Sequence, residues 1–522
     1  MERVPEGFYQ HVTWGLLWFD GEMPGEDYST LPLWHFWPDL EMFSVRSSWQ
    51  DDAVALVFKC GPPGGHRLQQ LGAGHWFNVA HDHPDQMHFL LYAFGKFLAE
   101  DDGYPKEKKL TRSHNTLLFD GQGGPREDTG WYQPFPYEQT ATMREIFLSQ
   151  SSAFSTGDAT ALYAAVNSAV AKVARHLFFV EGGYLVLMDE LVGNDGQMHD
   201  FEWRLHKEGS WSAPAEKSFY VTDGEVGLDI KFLEPPAITY QFLPAELTAK
   251  PALSVRTRAS EARFVSVLLP QKNGQPQRDS EFRQTAEAFA VKSTSTETID
   301  VIALARASEP FSVYDVSGKG RAAVVRKRSG NNELAFLVRG TELRTEGNLL
   351  LVSSPAANLA LRTTSTGATL EAEAPYREIG ALTDVSLGGF SPGRPYRVEI
   401  SDGQILRVAA DGQGVIAFRL DLSERRSAVI TETTEGPDAG DGNGDDVADA
   451  GDFADRAEDS VFADGGEDGG QGEAIDQEIH EDFFPPDRVA GECGCSTPGG
   501  EAILLTGLLA FLFLRRLGRR GR

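Results

Sequence analysis

The chain has 522 residues with 54 Gly, 27 Pro and 10% aromatic side chains, a turn-rich make-up that suits β structure better than helical bundles. Its net charge of −29 excludes a nucleic-acid partner, because phosphate binding needs a basic face. Most of that charge is local: residues 435–487 hold 19 Asp and Glu against one Arg, Arg456.

In chain order, residues 1–7 lack the apolar core and small-residue cleavage site of a signal peptide. A short helix is expected over residues 8–19, then an aromatic loop over residues 33–38. From Met42 the signal is strand, turn, strand. Residues 43–46 and 53–58 are β-rich, and the Gly-Pro run at 61–65 breaks them. Residues 116–119 run into Asp120-Gly121, a strong hairpin turn signal. Later strands are expected at 176–180, 184–188, 264–269, 333–338, 349–352 and 396–400. Residues 162–174 suit a helix or a strand pair. Strands at short spacing over several hundred residues imply stacked antiparallel sandwiches. Cys60 stands alone, and Cys493 and Cys495 are too close to close a useful disulfide loop.

The chemistry is concentrated between residues 75 and 115. His81 and His83 are two apart, so on a strand both imidazoles share a face. Asp101 and His114 follow on what read as successive strand ends. Three His and an Asp suit Zn²⁺, which takes imidazole nitrogen and carboxylate oxygen in tetrahedral geometry. The same residues could instead hydrogen-bond loop backbone at a sheet edge. His88 reads as a satisfied sheet residue, residues 201–206 as a packing strand, and Trp34, Phe36 and Trp37 as interdomain core or a sugar-stacking surface.

Several motifs in order then resemble the heparinase II/III-like polysaccharide lyases: Arg46-Ser47-Ser48-Trp49, His81-Asp82-His83-Pro84-Asp85-Gln86, Asp101-Asp102-Gly103-Tyr104, Ser113-His114-Asn115-Thr116, Ala174-Arg175-His176 and Met188-Asp189. The resemblance covers about residues 40–210 and extends weakly to about 425. It implies a mostly β fold: a large antiparallel β-sandwich (super-sandwich) plus a smaller C-terminal β domain. It implies a structural zinc held by His83, Asp101 and His114, with His81 in the sugar cleft and Tyr104 beside it as candidate catalytic groups. The implied reaction is β-elimination on a uronic-acid-containing acidic polysaccharide, which needs a base for the C5 proton, an acid for O4 and a neutralised carboxylate. Members of the family carry an α/α toroid ahead of the sandwich, and here only about 40 residues precede it, so an N-terminally truncated lyase with an upstream toroid domain as a partner is expected. The alternative is a non-catalytic, surface-anchored carbohydrate-binding or envelope protein.

Residues 435–487 cannot bury enough apolar surface to offset their ordering entropy and read as a disordered acidic linker. The tail, with Cys493-Gly494-Cys495, the apolar run 502–514 and five arginines after it, resembles MYXO-CTERM-type sorting signals. It implies export and attachment at a bacterial cell envelope through a membrane or sorting machinery. The expected organisation is residues 1–41 as the end of a toroid with its connecting loop, 42–300 as the sandwich, 301–432 as the C-terminal β domain, 433–490 as the linker and 491–522 as the sorting tail.

Overall fold

The structure is a computed structural model that describes residues 27–72, 82–101, 109–125, 127, 139–150, 152–245, 250–307 and 310–436. The helix expected at 8–19, the acidic linker and the sorting tail lie outside the described residues, as do His81 and Tyr104.

The first five strands form one antiparallel sheet in sequence order: β1 (Trp34–Trp37), β2 (Met42–Arg46), β3 (Val54–Lys59), β4 (His88–Ala93) and β5 (Lys96–Ala99). Their period-2 pattern is plain in the middle strands. Phe43, Val45, Leu56, Phe58, Phe89 and Leu91 are fully buried on one face, while Ser44, Arg46, Lys59 and His88 alternate onto the other. The segment 33–38, expected as a loop, contains β1, so the sheet starts ahead of residue 42. Trp34 and Phe36 pack on the core and His35 is exposed; aromatics on both faces hide the apolar–polar alternation. Arg425 stacks over Trp34, 4.2 Å from the ring centroid, and Phe36 meets Tyr376, so both partly buried aromatics pack against residues of the C-terminal layer.

The strand β6 (Leu117–Phe119) ends in Asp120-Gly121, where φ is 51° and 72°. Both central residues of a type I′ turn need positive φ, which is why glycine follows aspartate here. Phe119 and Gln122 exchange both backbone hydrogen bonds across it. Next come β7 (Thr142–Leu148), β8 (Ala153–Asp158), β9 (Val170–Val180), β10 (Tyr184–Gly193), β11 (His199–His206), β12 (Ser210–Ala215), β13 (Ser218–Asp223), β14 (Val226–Glu234), β15 (Thr239–Leu243), β16 (Ala252–Ala259) and β17 (Glu261–Lys272). The 162–174 segment resolves into a short helix, Thr160–Ala164, followed by the start of β9.

These strands make an eight-stranded sheet, β12-β13-β14-β17-β10-β9-β8-β7, and a four-stranded sheet, β15-β16-β11-β6. One face of the eight-stranded sheet, with Leu177, Phe179, Leu185, Leu187 and Leu268, shares a core with the two smaller sheets. The other face, with Phe154, Phe178, Val186, Met188, Val265 and Val267, packs on Val291, Ile302, Leu304, Val324 and Phe336. Those partners belong to a fourth, 14-stranded sheet spanning Asp279 to Glu432. Its third strand, β20 (Thr298–Ala305), follows β18 (Asp279–Gln284) and β19 (Ala288–Thr294) and contains residue 300. A sheet covered on both faces reads as continuous apolar runs, which explains why β9, β10 and β17 are legible as strands without alternation. The molecule is thus mostly β and built of stacked antiparallel sheets. Among the described residues no helix is long and apolar enough to cross a membrane.

Inside this apolar stack sits one fully buried ion pair. Arg175 on β9 and Asp189 on β10 face each other in register, with Nε–Oδ1 at 2.7 Å and Nη2–Oδ2 at 3.0 Å and both side chains at 0% exposure. Burial pushes the Asp189 carboxyl up, against the Arg175 guanidinium. Removing one partner leaves an uncompensated buried charge, so Asp189→Ala is expected to destabilise the fold by about 3–5 kcal/mol. Lys231→Ala, which breaks a pair with the largely exposed Asp279, is expected to change it by less than about 1 kcal/mol. Chemical denaturation of the two variants checks both values.

Candidate functional site

Four segments bring imidazoles together at one end of the five-stranded sheet. His83 lies in the irregular stretch before β4, His88 opens β4, His114 follows the 3-10 turn Thr111–Ser113, and His206 ends β11. Asp101 immediately follows β5 and the bridge that pairs Glu100 with His206. His83 therefore sits on a loop, and the shared strand face expected for His81 and His83 is not what places it.

Of the residues expected to hold a metal, the structure brings His83, Asp101 and His114 into one chain of contacts. The His114 Nδ1 lies 3.0 Å from Asp101 Oδ1, and its Nε2 lies 3.3 Å from His83 Nδ1. His88 joins the group: one ligand atom each from His88, Asp101 and His114 falls within 4.8 Å of the others, with His88 Nε2 at 3.7 Å from Asp101 Oδ2. Below them, Lys59 and Asp85 form a part-buried pair at 2.8 Å.

Asn115 is the hub that fixes this arrangement. Its Nδ2 donates to the carbonyls of Phe89 (2.9 Å) and Glu100 (2.8 Å). Its Oδ1 accepts from the His206 backbone N–H at 2.7 Å and faces His206 Nδ1 at 3.2 Å. Its own backbone N–H donates to His88 Nδ1 at 2.9 Å. Thr116 adds a bond to the Gln86 carbonyl. Arg175 then reaches up from the core and donates to the carbonyls of Met87 (2.8 Å) and Asn115 (2.9 Å). The two loops that carry His83 and His114 are thus tied to the same buried guanidinium.

These partners set the tautomers. The two carbonyls on Nδ2 fix the Asn115 amide orientation, so its Oδ1 must accept, and His206 Nδ1 carries a proton. The carboxylate of Asp101 likewise calls for a proton on His114 Nδ1. The fixed N–H of Asn115 does the opposite to His88, whose Nδ1 must accept and whose Nε2 carries the proton. His114 and His206, when neutral, present Nε2 lone pairs; His88 does not.

The electrostatics agree. Burial, reinforced by His114, pulls the His83 pKa down to about 4. Burial also lowers His88 to about 4 against the pull of Asp101 and takes His206 well below its ordinary value. Burial opposes charge on His114 too, but Asp101 outweighs it and raises that pKa. Near neutral pH, His83, His88 and His206 are therefore neutral imidazoles, the form a metal ion binds.

The donor set fits zinc. Two imidazole nitrogens at ~2.0–2.1 Å on a tetrahedral ion stand about 3.3–3.4 Å apart, and the separation between His83 Nδ1 and His114 Nε2 is 3.3 Å. Asp101 brings a carboxylate oxygen beside the pair, its Oδ1 3.0 Å from His114 Nδ1, a donor type that zinc also accepts. Sequence reasoning missed His206. Alternation along β11 puts it on the face of Glu202 and Arg204, and only the long-range pairing with Glu100 carries it to the cluster.

Comparison with known proteins places the same region. Residues 43–235 match the family described as Heparinase II/III-like, C-terminal. The chain is 24% identical over 249 residues to a heparin-sulfate lyase of Bacteroides stercoris, covering 44% of this chain and 33% of that protein. Among solved structures it is similar to a heparan sulfate lyase of Pedobacter heparinus, at 17% identity and TM-score 0.41 over 55% of this chain and 46% of the other. It is also similar to a chondroitin AC lyase of Streptomyces coelicolor A3, at 11% identity and TM-score 0.39 over 79% and 51%. The chain spans a third of the length of the curated relative and about half of these solved proteins.

Removing the Asn115 side chain takes four hydrogen bonds out of a buried site, those to the Phe89 and Glu100 carbonyls and those from the His206 backbone N–H and Nδ1–H. At about 1 kcal/mol per lost bond, Asn115→Ala is expected to lower stability by about 4 kcal/mol. Asn115→Asp is expected not to restore it, since a carboxylate has no N–H for the Phe89 and Glu100 carbonyls. Urea denaturation of both variants is the check.

Proposed function

We propose that this chain contributes the sandwich part of a polysaccharide lyase that acts by β-elimination on a uronic-acid-containing acidic polysaccharide. The observation that carries the reading is that the family match at residues 43–235 contains the whole buried cluster, from His83 to His206. In this reading His83, Asp101 and His114 hold a zinc ion. The ion's contribution is structural: it locks the loops beside the sugar cleft. His81 precedes the described loop by one residue and is the group assigned to substrate binding or proton transfer. Tyr104, three residues after Asp101, is assigned as the second proton-transfer group. Histidine and tyrosine suit these tasks because their pKa values can be tuned toward working pH. We assign the protein to the bacterial cell envelope through its C-terminal tail.

A non-catalytic, surface-anchored carbohydrate-binding protein is the competing reading. The family match from which both readings draw is to the C-terminal part of such proteins, at residues 43–235.

Elemental analysis of the purified chain is expected to find about one zinc per molecule, lost in His83→Ala and His114→Ala; metal-free protein would refute the zinc assignment. Absorbance of the unsaturated uronate product, on alginate, heparan sulfate and other uronate polymers, separates the two functional readings. Elimination needs a base, an acid and carboxylate neutralisation together. Each missing proton-transfer role costs ~10²–10⁴-fold, and lost charge stabilisation a further ~10²–10³-fold. The chain alone is expected to give little or no product, and addition of a toroid domain in trans or by fusion to restore it. Strong activity from the isolated chain, abolished by His81→Ala, would show that the sandwich is catalytically sufficient. Silence with and without the toroid, together with retained polysaccharide binding, would establish the non-catalytic reading.

A further inference from the structure

His88 is buried, and its Nε2 has no hydrogen-bond partner among the described residues. Its Nδ1 accepts from the Asn115 backbone N–H at 2.9 Å, so Nε2 carries the proton of the neutral ring and is a donor. A buried donor without an acceptor is costly and calls for an explanation. The surroundings supply one. His88 Nε2 lies 3.7 Å from Asp101 Oδ2, and His88, Asp101 and His114 are the one group of such residues, among those described, with a ligand atom each inside 4.8 Å. The His88 and His114 rings meet edge to face, with centroids 5.3 Å apart. Asp101 therefore stands between two imidazoles, its Oδ1 toward His114 Nδ1 at 3.0 Å and its Oδ2 toward His88 Nε2. The backbone holds this arrangement: Asn115 Nδ2 donates to the carbonyls of Phe89 and Glu100, the residues next to His88 and Asp101. Burial keeps His88 neutral near neutral pH, so what it offers Asp101 is an N–H and not a charge. A carboxylate has about four lone-pair positions. It can accept from both imidazoles and still face an ion, and carboxylates that ligate a metal are in turn held by hydrogen bonds.

We propose that His88 is a positioning residue of the zinc site: its Nε2–H donates to Asp101 Oδ2 and fixes the carboxylate, without itself binding the ion. The inference rests on the zinc reading above and gives a part to a histidine which that reading leaves unused. The present 3.7 Å separation is longer than a hydrogen bond, and it closes when an ion holds the carboxylate in place.

The test uses the full chain with zinc alone as the probe. In competition with a chromophoric chelator, His88→Leu is expected to weaken zinc binding ~10–100-fold, the range for a residue that orients a ligand. His88→Gln, which can present an amide N–H in place of the ring's, is expected to recover most of that affinity. In an Asp101→Asn background His88→Leu is expected to cost little further, because residues that act through one contact are not additive. A loss that reflects disturbed packing alone would persist in that background. Nitrogen-15 shifts of the His88 ring in the parent chain check the donor without any substitution, and the Nε2–H tautomer is expected. Parent chain that binds zinc, with the His88→Leu loss absent or additive to that of Asp101→Asn, or with the Nδ1–H tautomer, overturns the part given to His88 and leaves the zinc site standing. Parent chain that binds no zinc overturns both.

Discussion

A single guanidinium holds the functional end of this molecule to its interior. Arg175 spends two of its N–H groups on Asp189 and two more on the backbone of Met87 and Asn115. A charge this deep is tolerated only with its donors satisfied, so the positions of those carbonyls are dictated from below. The loops they belong to carry His83 and His114. The cluster is therefore assembled by the sandwich core before any ligand arrives, and its geometry inherits the rigidity of β9 and β10. Preassembly of this kind is what a site needs if its side chains must stay within a fraction of an ångström of working geometry.

Above that anchor, Asn115 sorts the histidines chemically. One amide and one backbone N–H give His88 and His206 opposite tautomers, and Asp101 aligns His114. Four imidazoles within one buried cluster would be indistinguishable by composition. They become distinct through which nitrogen each has already committed. The neighbouring Lys59–Asp85 pair supplies charge of both signs beneath the cluster, so the site is polar and internally compensated, not a bare concentration of bases.

Much of the fold could be read from the sequence wherever one local rule decided it. Asp120-Gly121 announces its turn because positive φ at two successive positions is a local demand. Strands β9, β10 and β17 show as apolar runs because both their faces are covered. Trp34–Trp37 failed that reading, since its outward residues are aromatic as well. His83, Asp101 and His114 are grouped by the family resemblance, and the structure sets His114 beside each of the other two. The roles of Asn115, Arg175 and His206 could not be read, because each is defined by partners 14 to 91 residues away. No linear pattern encodes which carbonyl an amide will meet after the sheets have stacked.

The doubly covered sheet has a consequence for how such proteins are divided. The segment recognisable by its resemblance ends at residue 235, but β17, between β14 and β10 in that sheet, lies beyond it. So does the layer from Asp279 onward that shields Phe154, Phe178, Val186 and Met188. A piece cut at the end of the recognisable segment would lack an interior strand, presenting two raw strand edges and a broad greasy surface, the combination that drives chains to associate with one another. The inherited unit of sequence is thus smaller than the unit able to exist in water. Exchanging the first without the second would leave Phe154, Phe178, Val186 and Met188 uncovered.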